Sequence, residues 1–308
     1  MQGFHRRVSI VAAVAAGLGW AGSAPAEFAT SVQSFDQGTV DSTGALYGNP
    51  ASATGQPSRL PTAFGAAPVA PFSPQYETTQ AVDVGRGGSL TVSLAAPVPV
   101  VAGALQIGIF TTAGLNDAAY PSGQAEPTAR TFAGNEYGAD RTAVVEVAGP
   151  LGIFQSLNRV LFTQPTQAYA NQTDPYAFPD SPVPSNFDQP FAGSLSSFNG
   201  KNQPQITTML QGSGGGTWLS VPADVAALIG GEVQFVRISD PRWQVIGGGL
   251  ADERASIYDP DGDGPLEPAV KPADLYVDAI NVVPEPASLG VIAALCLALH
   301  RRHRRQAI

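Results

Sequence analysis

Two prolines limit what this chain can fold into. Pro284 and Pro286 flank Glu285, and proline has no N–H to give a sheet ladder, so a strand-built body must end there. An apolar run from Leu289 to Leu299 follows, and then His300-Arg-Arg-His-Arg-Arg305. Such a run is buried in lipid or in a core, and the arginines behind it hold their end on the cytoplasmic side of a membrane. From Ala287 to Leu299 it has about 13 residues, roughly 20 Å as a helix against about 30 Å of hydrocarbon. This hydrophobic helix is short for a durable anchor. It suits a segment that is held briefly and then removed.

The other end is also apolar. His5, Arg6 and Arg7 precede an almost unbroken run of Val, Ile, Ala, Leu and Gly from Val8 to Trp20. Ala24-Pro25-Ala26 then supplies a small-x-small cleavage pattern. These features predict a secretory signal helix over 1–26, cut after Ala26. A permanent N-terminal membrane helix is the alternative, but the apolar region is short and rich in small residues.

Val282-Val-Pro-Glu-Pro-Ala-Ser288, the apolar run and the arginine cluster, in that order, resemble the PEP-CTERM sorting signal. The resemblance implies that Pro284, Glu285 and Pro286 form the sorting motif of a signal spanning 284–308, with 287–299 as its transient membrane segment. It also implies recognition and cutting by a membrane protease of the exosortase type, after signal peptidase has acted at the other end. The expected route is the inner membrane, then the cell surface or extracellular matrix of a Gram-negative-type bacterium. A lone tail anchor is the plainer alternative.

Between these ends lies a body of residues 27–283, large enough for one large domain or two small ones. All 25 acidic residues lie between Glu27 and Glu285, with only ten of the 16 basic ones, a net charge near −15. Such a surface repels phosphate backbones and anionic lipid, which argues against nucleic-acid binding. His5, His300, His303 and Cys296 all sit in the end segments. The body therefore has no imidazole and no thiol, which excludes Ser-His-Asp and Cys-His nucleophiles, the usual zinc sites and disulfides.

Strand signals recur along the body. Leu90, Val92 and Leu94 alternate with Ser89, Thr91 and Ser93, the period of a half-buried strand. Similar stretches run over Glu27–Phe35, Ala104–Thr111, Thr142–Val147, Asn158–Thr163, Thr217–Val221, Glu232–Ser239, Trp243–Ile246 and Asp274–Val283. In the last, Leu275, Val277 and Ala279 are expected on one face and Tyr276, Ile280 and Val282 on the other. Pro222–Ile229 reads as the single short helix. Gln164–Gln205 is a long polar loop carrying Tyr169, Tyr176, Phe178, Phe187, Phe191 and Phe198. Those rings either pack back on the body or form a ligand face. Many short strands with Gly/Pro-rich turns predict an all-β fold, a jelly-roll β-sandwich with long loops.

Four short pieces carry a second resemblance: Tyr47-x-x-Pro-x-x-Ala-x-Gly-x-Pro-Ser58, Gly88-Ser-Leu-Thr-Val-Ser-Leu94, Phe235-Val-Arg-Ile-Ser-Asp240 and Asp274-Leu-Tyr-Val-Asp-Ala-Ile280. They resemble secreted bacterial surface proteins whose ectodomain is similar to discoidin-like, galactose-binding-like jelly rolls. The resemblance implies a binding role, often toward glycans such as a surface polysaccharide.

One stretch is dense in possible ligands. Asp259-Pro-Asp-Gly-Asp-Gly264 resembles the first half of an EF-hand calcium loop, with Asp259, Asp261 and Asp263 as oxygen donors and Gly264 at the sharp turn. Position 12 is Val270, so the bidentate Glu is missing, and Glu267, Asp252 or Glu253 would have to complete the shell. The alternative is a solvated acidic turn. Paired carboxylates such as Asp252 with Glu253, or Asp224 with Asp240, would serve a glycosidase only about 5–10 Å apart. The reading is an exported, non-catalytic surface or matrix protein, with a carbohydrate-binding module next and a carboxylate-based glycosidase last.

Overall fold

The computed structural model describes residues 26–40, 44–58, 69–70, 72–74, 78–100, 105–115, 117–119, 122–125, 131–132, 140–162, 169–170, 181–182, 186–245, 249–251, 254–256, 269–271 and 275–284. The two terminal helices expected from sequence lie outside them.

The principal strands are β1 (Glu27–Phe28), β2 (Ser31–Asp36), β3 (Val82–Val84), β4 (Ser89–Pro99), β5 (Leu105–Thr111), β6 (Asp140–Ala148) and β7 (Phe154–Phe162). They continue with β8 (Thr217–Ser220), β9 (Glu232–Val245), β10 (Gly249–Ala251) and β11 (Leu275–Pro284). Two helices interrupt them, α1 (Gln203–Leu210) before β8 and α2 (Ala223–Leu228) after it.

The strands form two antiparallel sheets. A five-stranded sheet runs β1-β11-β5-β8, with β3 also paired to β11. A six-stranded sheet runs β7-β6-β9-β4-β2, with β10 also on β9. The fold is all-β, and one core fills the space between the sheets. Leu90, Val92, Leu94, Val145, Val147, Val236 and Ile238 meet Val82, Val84, Leu105, Ile107, Ile109, Val277 and Val282 there. The period-2 alternation in β4 and β5 puts these side chains on one face. Each full burial of a Val, Leu or Ile contributes about 1.5–3 kcal/mol.

Several boundaries differ from the sequence reading, each for a local reason. The first predicted strand is two, because the chain crosses sheets at Ala29–Thr30. Ala29 N–H donates to Ile280 O at 2.9 Å in one sheet, and Thr30 N–H to Ser93 O at 2.8 Å in the other. The strand expected from Asn158 begins at Phe154, and its register against β6 shifts beside Asn158, which sits at φ +80°. Asn tolerates that left-handed backbone. The strands expected at Glu232–Ser239 and Trp243–Ile246 are one, β9. Its register against β6 also shifts around Asp240 (φ +50°) and Pro241, which masked the continuity.

A second helix, α1, was not expected. Asn202 and Gln205 form a reciprocal capping box, with Asn202 Oδ1 accepting from Gln205 N–H at 3.1 Å and Gln205 Oε1 from Asn202 N–H at 3.0 Å. Ile206 and Leu210 then bury against Phe72, Leu115 and Phe198 in a small separate core.

Candidate functional site

The most chemically distinctive group is Asp278, in the middle of β11. Val277 pairs with Thr111 and Ala279 with Phe110, so Asp278 is an extra residue in the ladder, a β-bulge. The bulge breaks the expected alternation. Val277, Ile280 and Val282 all reach the central core, whereas Tyr276 and Ala279 pack on the outer side of the sheet. Ala279, Ile280 and Val282 are thus on the opposite faces from those expected, relative to Leu275 and Val277.

Asp278 is 1% exposed and is closed over by Ser58. The Ser58 N–H donates to both carboxyl oxygens, at 2.8 and 3.1 Å, and the hydroxyl donates to Oδ1 at 2.8 Å. Burial pushes the Asp278 carboxyl up to about 7, and the two Ser58 hydrogen bonds oppose that rise only in part. The Ser58 hydroxyl also lies 3.4 Å from the Gln80 carbonyl. A protonated Asp278 can therefore donate to Ser58 Oγ while the hydroxyl turns to Gln80.

The segment 44–58 is held in place to make this contact. Asn49 Oδ1 accepts from Ala51 N–H at 3.2 Å and caps the 3-10 turn Pro50–Ala53. Gly55, at φ +86°, donates its N–H to Ala29 O at 2.8 Å. The Tyr47 ring meets the Tyr276 ring edge-on at 4.9 Å. Burial raises the Tyr47 phenol above its ordinary value, and the negative field of buried Asp83 adds to that. At 1% exposure Asp278 offers no approach to a substrate, so its chemistry is that of an internal clasp.

Toward the other end of the same sheet face, Asn281 is fully buried and satisfied on both sides of its amide. Its Oδ1 accepts from Gly108 N–H at 3.0 Å, and its Nδ2 donates to Phe187 O at 2.6 Å. The Phe187 ring stands edge-on to Phe110 at 5.3 Å, and Trp218 edge-on to Phe110 at 6.1 Å. Phe198 is buried and stacks on Phe191 at 4.8 Å. The described aromatic rings of the long polar loop therefore pack back on the body. Tyr176 and Phe178 lie outside the described residues, as do the side-chain surroundings of Tyr169.

The outer face of the six-stranded sheet is polar. Ser31 Oγ and Ser93 Oγ are 2.7 Å apart, and Gln33 Nε2 donates to both. Arg237 holds Glu146 with two bonds of 2.6 and 2.8 Å and lies 4.1 Å over the Phe154 ring. The Glu146 hydrogen bond raises the Arg237 guanidinium above its ordinary value. Asp240 takes Arg159 at 2.6 Å and Arg242 at 2.9 Å, and its carbonyl accepts from Arg159 at 2.8 Å. Each of these three arginines is paired with a carboxylate, Arg159 and Arg242 sharing Asp240, and beside them the hydroxyl and amide groups of Ser31, Gln33 and Ser93 offer an adaptable hydrogen-bonding surface.

The four pieces behind the second resemblance come together in pairs. Ser58 of the first bonds Asp278 of the last. In the middle two, Leu90 pairs with Ile238 and Val92 with Val236, and Asp240 N–H donates to Gly88 O at 3.0 Å. Asp278 is not among the site residues expected from sequence. An acid amid Leu275-Tyr-Val-Asp-Ala-Ile280 was the available signal, since an ionisable group on a strand of that kind must be paired or neutral.

Asp259, Asp261, Asp263 and Glu267 lie outside the described residues, as do Asp252, Glu253, Ala24, Glu285 and Pro286. Arg254–Ser256 and Ala269–Lys271 pair antiparallel, so the acidic stretch joins two paired segments, with Val270 inside the second. Pro284 is the last residue of β11, opposite Leu105, and Ala26 directly precedes β1. Asp224 lies on α2, before the start of β9, and Asp240 lies eight residues into that strand. Eight residues of strand span about 26 Å, against the roughly 5–10 Å that a glycosidase pair needs. Among the described residues no group of three His, Cys, Asp or Glu is placed to hold a metal ion, and no helix is long and apolar enough to cross a membrane. No protein family, curated protein or solved structure matches the chain.

Proposed function

We propose that this chain is an exported surface or matrix protein, sorted by a PEP-CTERM signal, whose acidic body acts by binding or as structure and not by catalysis. The observation that carries the reading is the pairing of Glu27 with Val282 and of Phe28 with Asn281. It sets the beginning and the end of the body side by side, so the predicted signal peptide and the predicted sorting segment leave from the same edge. Both carry arginines on their far sides, and both therefore orient with those charges on the cytoplasmic side. A body between two such segments is delivered to the opposite side with both exits toward the membrane.

We read the sandwich as a jelly roll. The eight strands β3, β4, β5, β6, β7, β8, β9 and β11 pair first with last, second with seventh, third with sixth and fourth with fifth. That is the order of one long hairpin rolled over itself, two sheets of four strands. It supports a binding role as other jelly rolls support theirs, by fold alone, and a ligand must come from the site.

Non-catalytic action is supported by the carboxylates. Asp278 is sealed by Ser58, and Asp240 and Glu146 are tied to arginines. A second reading, a carbohydrate-binding module, is favoured by the face bearing Ser31, Gln33, Ser93 and the Arg237–Phe154 stack. Hydroxyl and amide groups beside a ring match the mixed polar and apolar faces of sugars. A glycan-array screen of the full chain tests both. Retention of one glycan class, lost in Phe154→Ala with Gln33→Ala, supports the module. No retention favours the structural role, and sugar turnover would overturn the non-catalytic reading.

A further inference from the structure

Large apolar side chains on the surface are usually scattered and need no account. Here they are not scattered. Among the described residues the exposed large hydrophobics are Leu46 at 65%, Leu151 at 85%, Ile153 at 55% and Leu228 at 63%. Three of these four lie at one end of the sandwich. Leu151 and Ile153 form the tip of the hairpin joining β6 to β7, and Leu228 ends α2 beside it.

The tip is braced. Gly149 lies so close to the Ile229 and Glu232 carbonyls that a Cβ there would strike them, and Gly152 N–H closes the turn onto Gly149 O at 2.9 Å. Ile229, next to Leu228, is buried in the central core. The three apolar side chains are therefore presented on fixed backbone.

This is also the end from which the chain leaves the body. Val221 N–H donates to Leu105 O, and Leu105 is the partner of Pro284, so α2 begins beside the last residue of β11. Glu27 lies opposite Val282. After Pro284 only Glu285 and Pro286 precede Ala287, where the apolar segment opens. Three steps of chain reach about 10 Å at most, while the headgroup layer on one side of a bilayer is about 5–8 Å deep. A body tethered so closely must rest on the bilayer with this end down.

We propose that this end is a membrane seat: Leu151, Ile153 and Leu228 sink into the headgroup boundary of a lipid bilayer while segment 287–299 holds the chain. The inference rests on the anchoring reading of that segment and adds the orientation of the body. Glu27, Asp224 and Glu232 lie at the same end, so contact is apolar in origin and favours uncharged lipid over anionic lipid.

The test uses the full chain in phosphatidylcholine vesicles. Leu151→Cys or Leu46→Cys, each in a Cys296→Ser background, carries an environment-sensitive fluorophore, and a lipid-borne nitroxide is the quencher. A third sample labels the native Cys296. Leu46 is the control, because Tyr47 packs on Tyr276, eight strand residues or about 25 Å from Pro284. The label at 151 is expected to shift to the blue and lose about half its emission or more, as for side chains about 5–10 Å inside the boundary. Adding phosphatidylglycerol should reduce that loss, and the label at 46 should not respond.

If the Cys296 label is quenched and the label at 151 behaves like that at 46, the seat is wrong and the anchor stands. If neither 151 nor 296 is quenched, the anchoring reading fails and takes this inference with it. A blue shift at 151 without quenching, growing with protein concentration, assigns the tip to a second copy of the chain and overturns the proposal.

Discussion

Ser58 closes on Asp278 across 220 positions of sequence, giving it a backbone N–H and a hydroxyl at once. The pair ties the irregular segment after β2 to the bulge of β11. Because the folded-state carboxyl titrates at about 7 against an ordinary 3.8, the folded protein holds this proton more tightly than the unfolded chain. Its contribution is fully present below pH 4 and is lost as pH rises to about 7. The full loss is on the order of 4 kcal/mol.

Asp278→Asn separates this group from every other titration. An amide keeps an acceptor for Ser58 N–H and cannot ionise. Denaturation midpoints measured from pH 4 to pH 8 should fall less steeply for the variant, which should be the more stable protein at pH 8. Asp278→Ala should instead cost about 1–3 kcal/mol at pH 4, because the half-buried Ser58 then loses the acceptor of its N–H and of its hydroxyl. Parallel midpoint curves for wild type and Asp278→Asn would contradict the account.

Gly108 and Asn281 are coupled as closely on the same sheet. A Cβ on Gly108 would strike Asn281 Oδ1, the atom that accepts the Gly108 N–H. Gly108→Ala should therefore destabilise the body by about 1–3 kcal/mol, the usual cost of overpacking. It should also loosen Phe187, whose carbonyl accepts from Asn281. Equilibrium urea denaturation checks the first effect, and hydrogen exchange over 186–190 checks the second.

Much of this fold was legible in the sequence because simple alternation suffices where one sheet face is buried. Leu90, Val92 and Leu94 are core, as are Leu105, Ile107 and Ile109. Periodicity failed where a bulge resets it. Asp278 moved Ala279, Ile280 and Val282 to unexpected faces, and Asn158 and Asp240 hid the continuity of β7 and β9. The capping box at Asn202 and Gln205 is present in the sequence, but it closes a polar loop whose composition hides the start of a helix. The clasp was not legible, because nothing local to Ser58 signals a partner so far along the chain.

The stretch 259–264 remains a calcium proposal. Three Asp side chains at every second position repel one another unless a cation lies among them. Calcium at 100 times its Kd would stabilise the folded state by about 2.7 kcal/mol, which for a body of this size raises the midpoint by roughly 5–10 °C. Magnesium should do less. Asp261→Asn with Asp263→Asn should abolish the shift. Superimposable melting curves in calcium and in EDTA would make the stretch a solvated turn.

Redox state should not matter to the body. The single cysteine, Cys296, lies beyond Pro284, so no disulfide constrains residues 27–283. The thermal midpoint should be the same with and without a reductant, and a clear fall under reduction would contradict the assignment of Cys296 to a removed segment.

The central claim is that residues 284–308 sort this protein to the outside and are then removed. Intact-mass measurement of the exported protein, beside a variant with Pro284, Glu285 and Pro286 all changed to Ala, tests it most directly. The account predicts a wild-type mass that begins at Glu27 and lacks the apolar run and the arginines. It predicts that the variant stays uncut in the inner membrane. A released wild-type protein that still carries Arg301 to Arg305, or a variant cut at the wild-type rate, would contradict it.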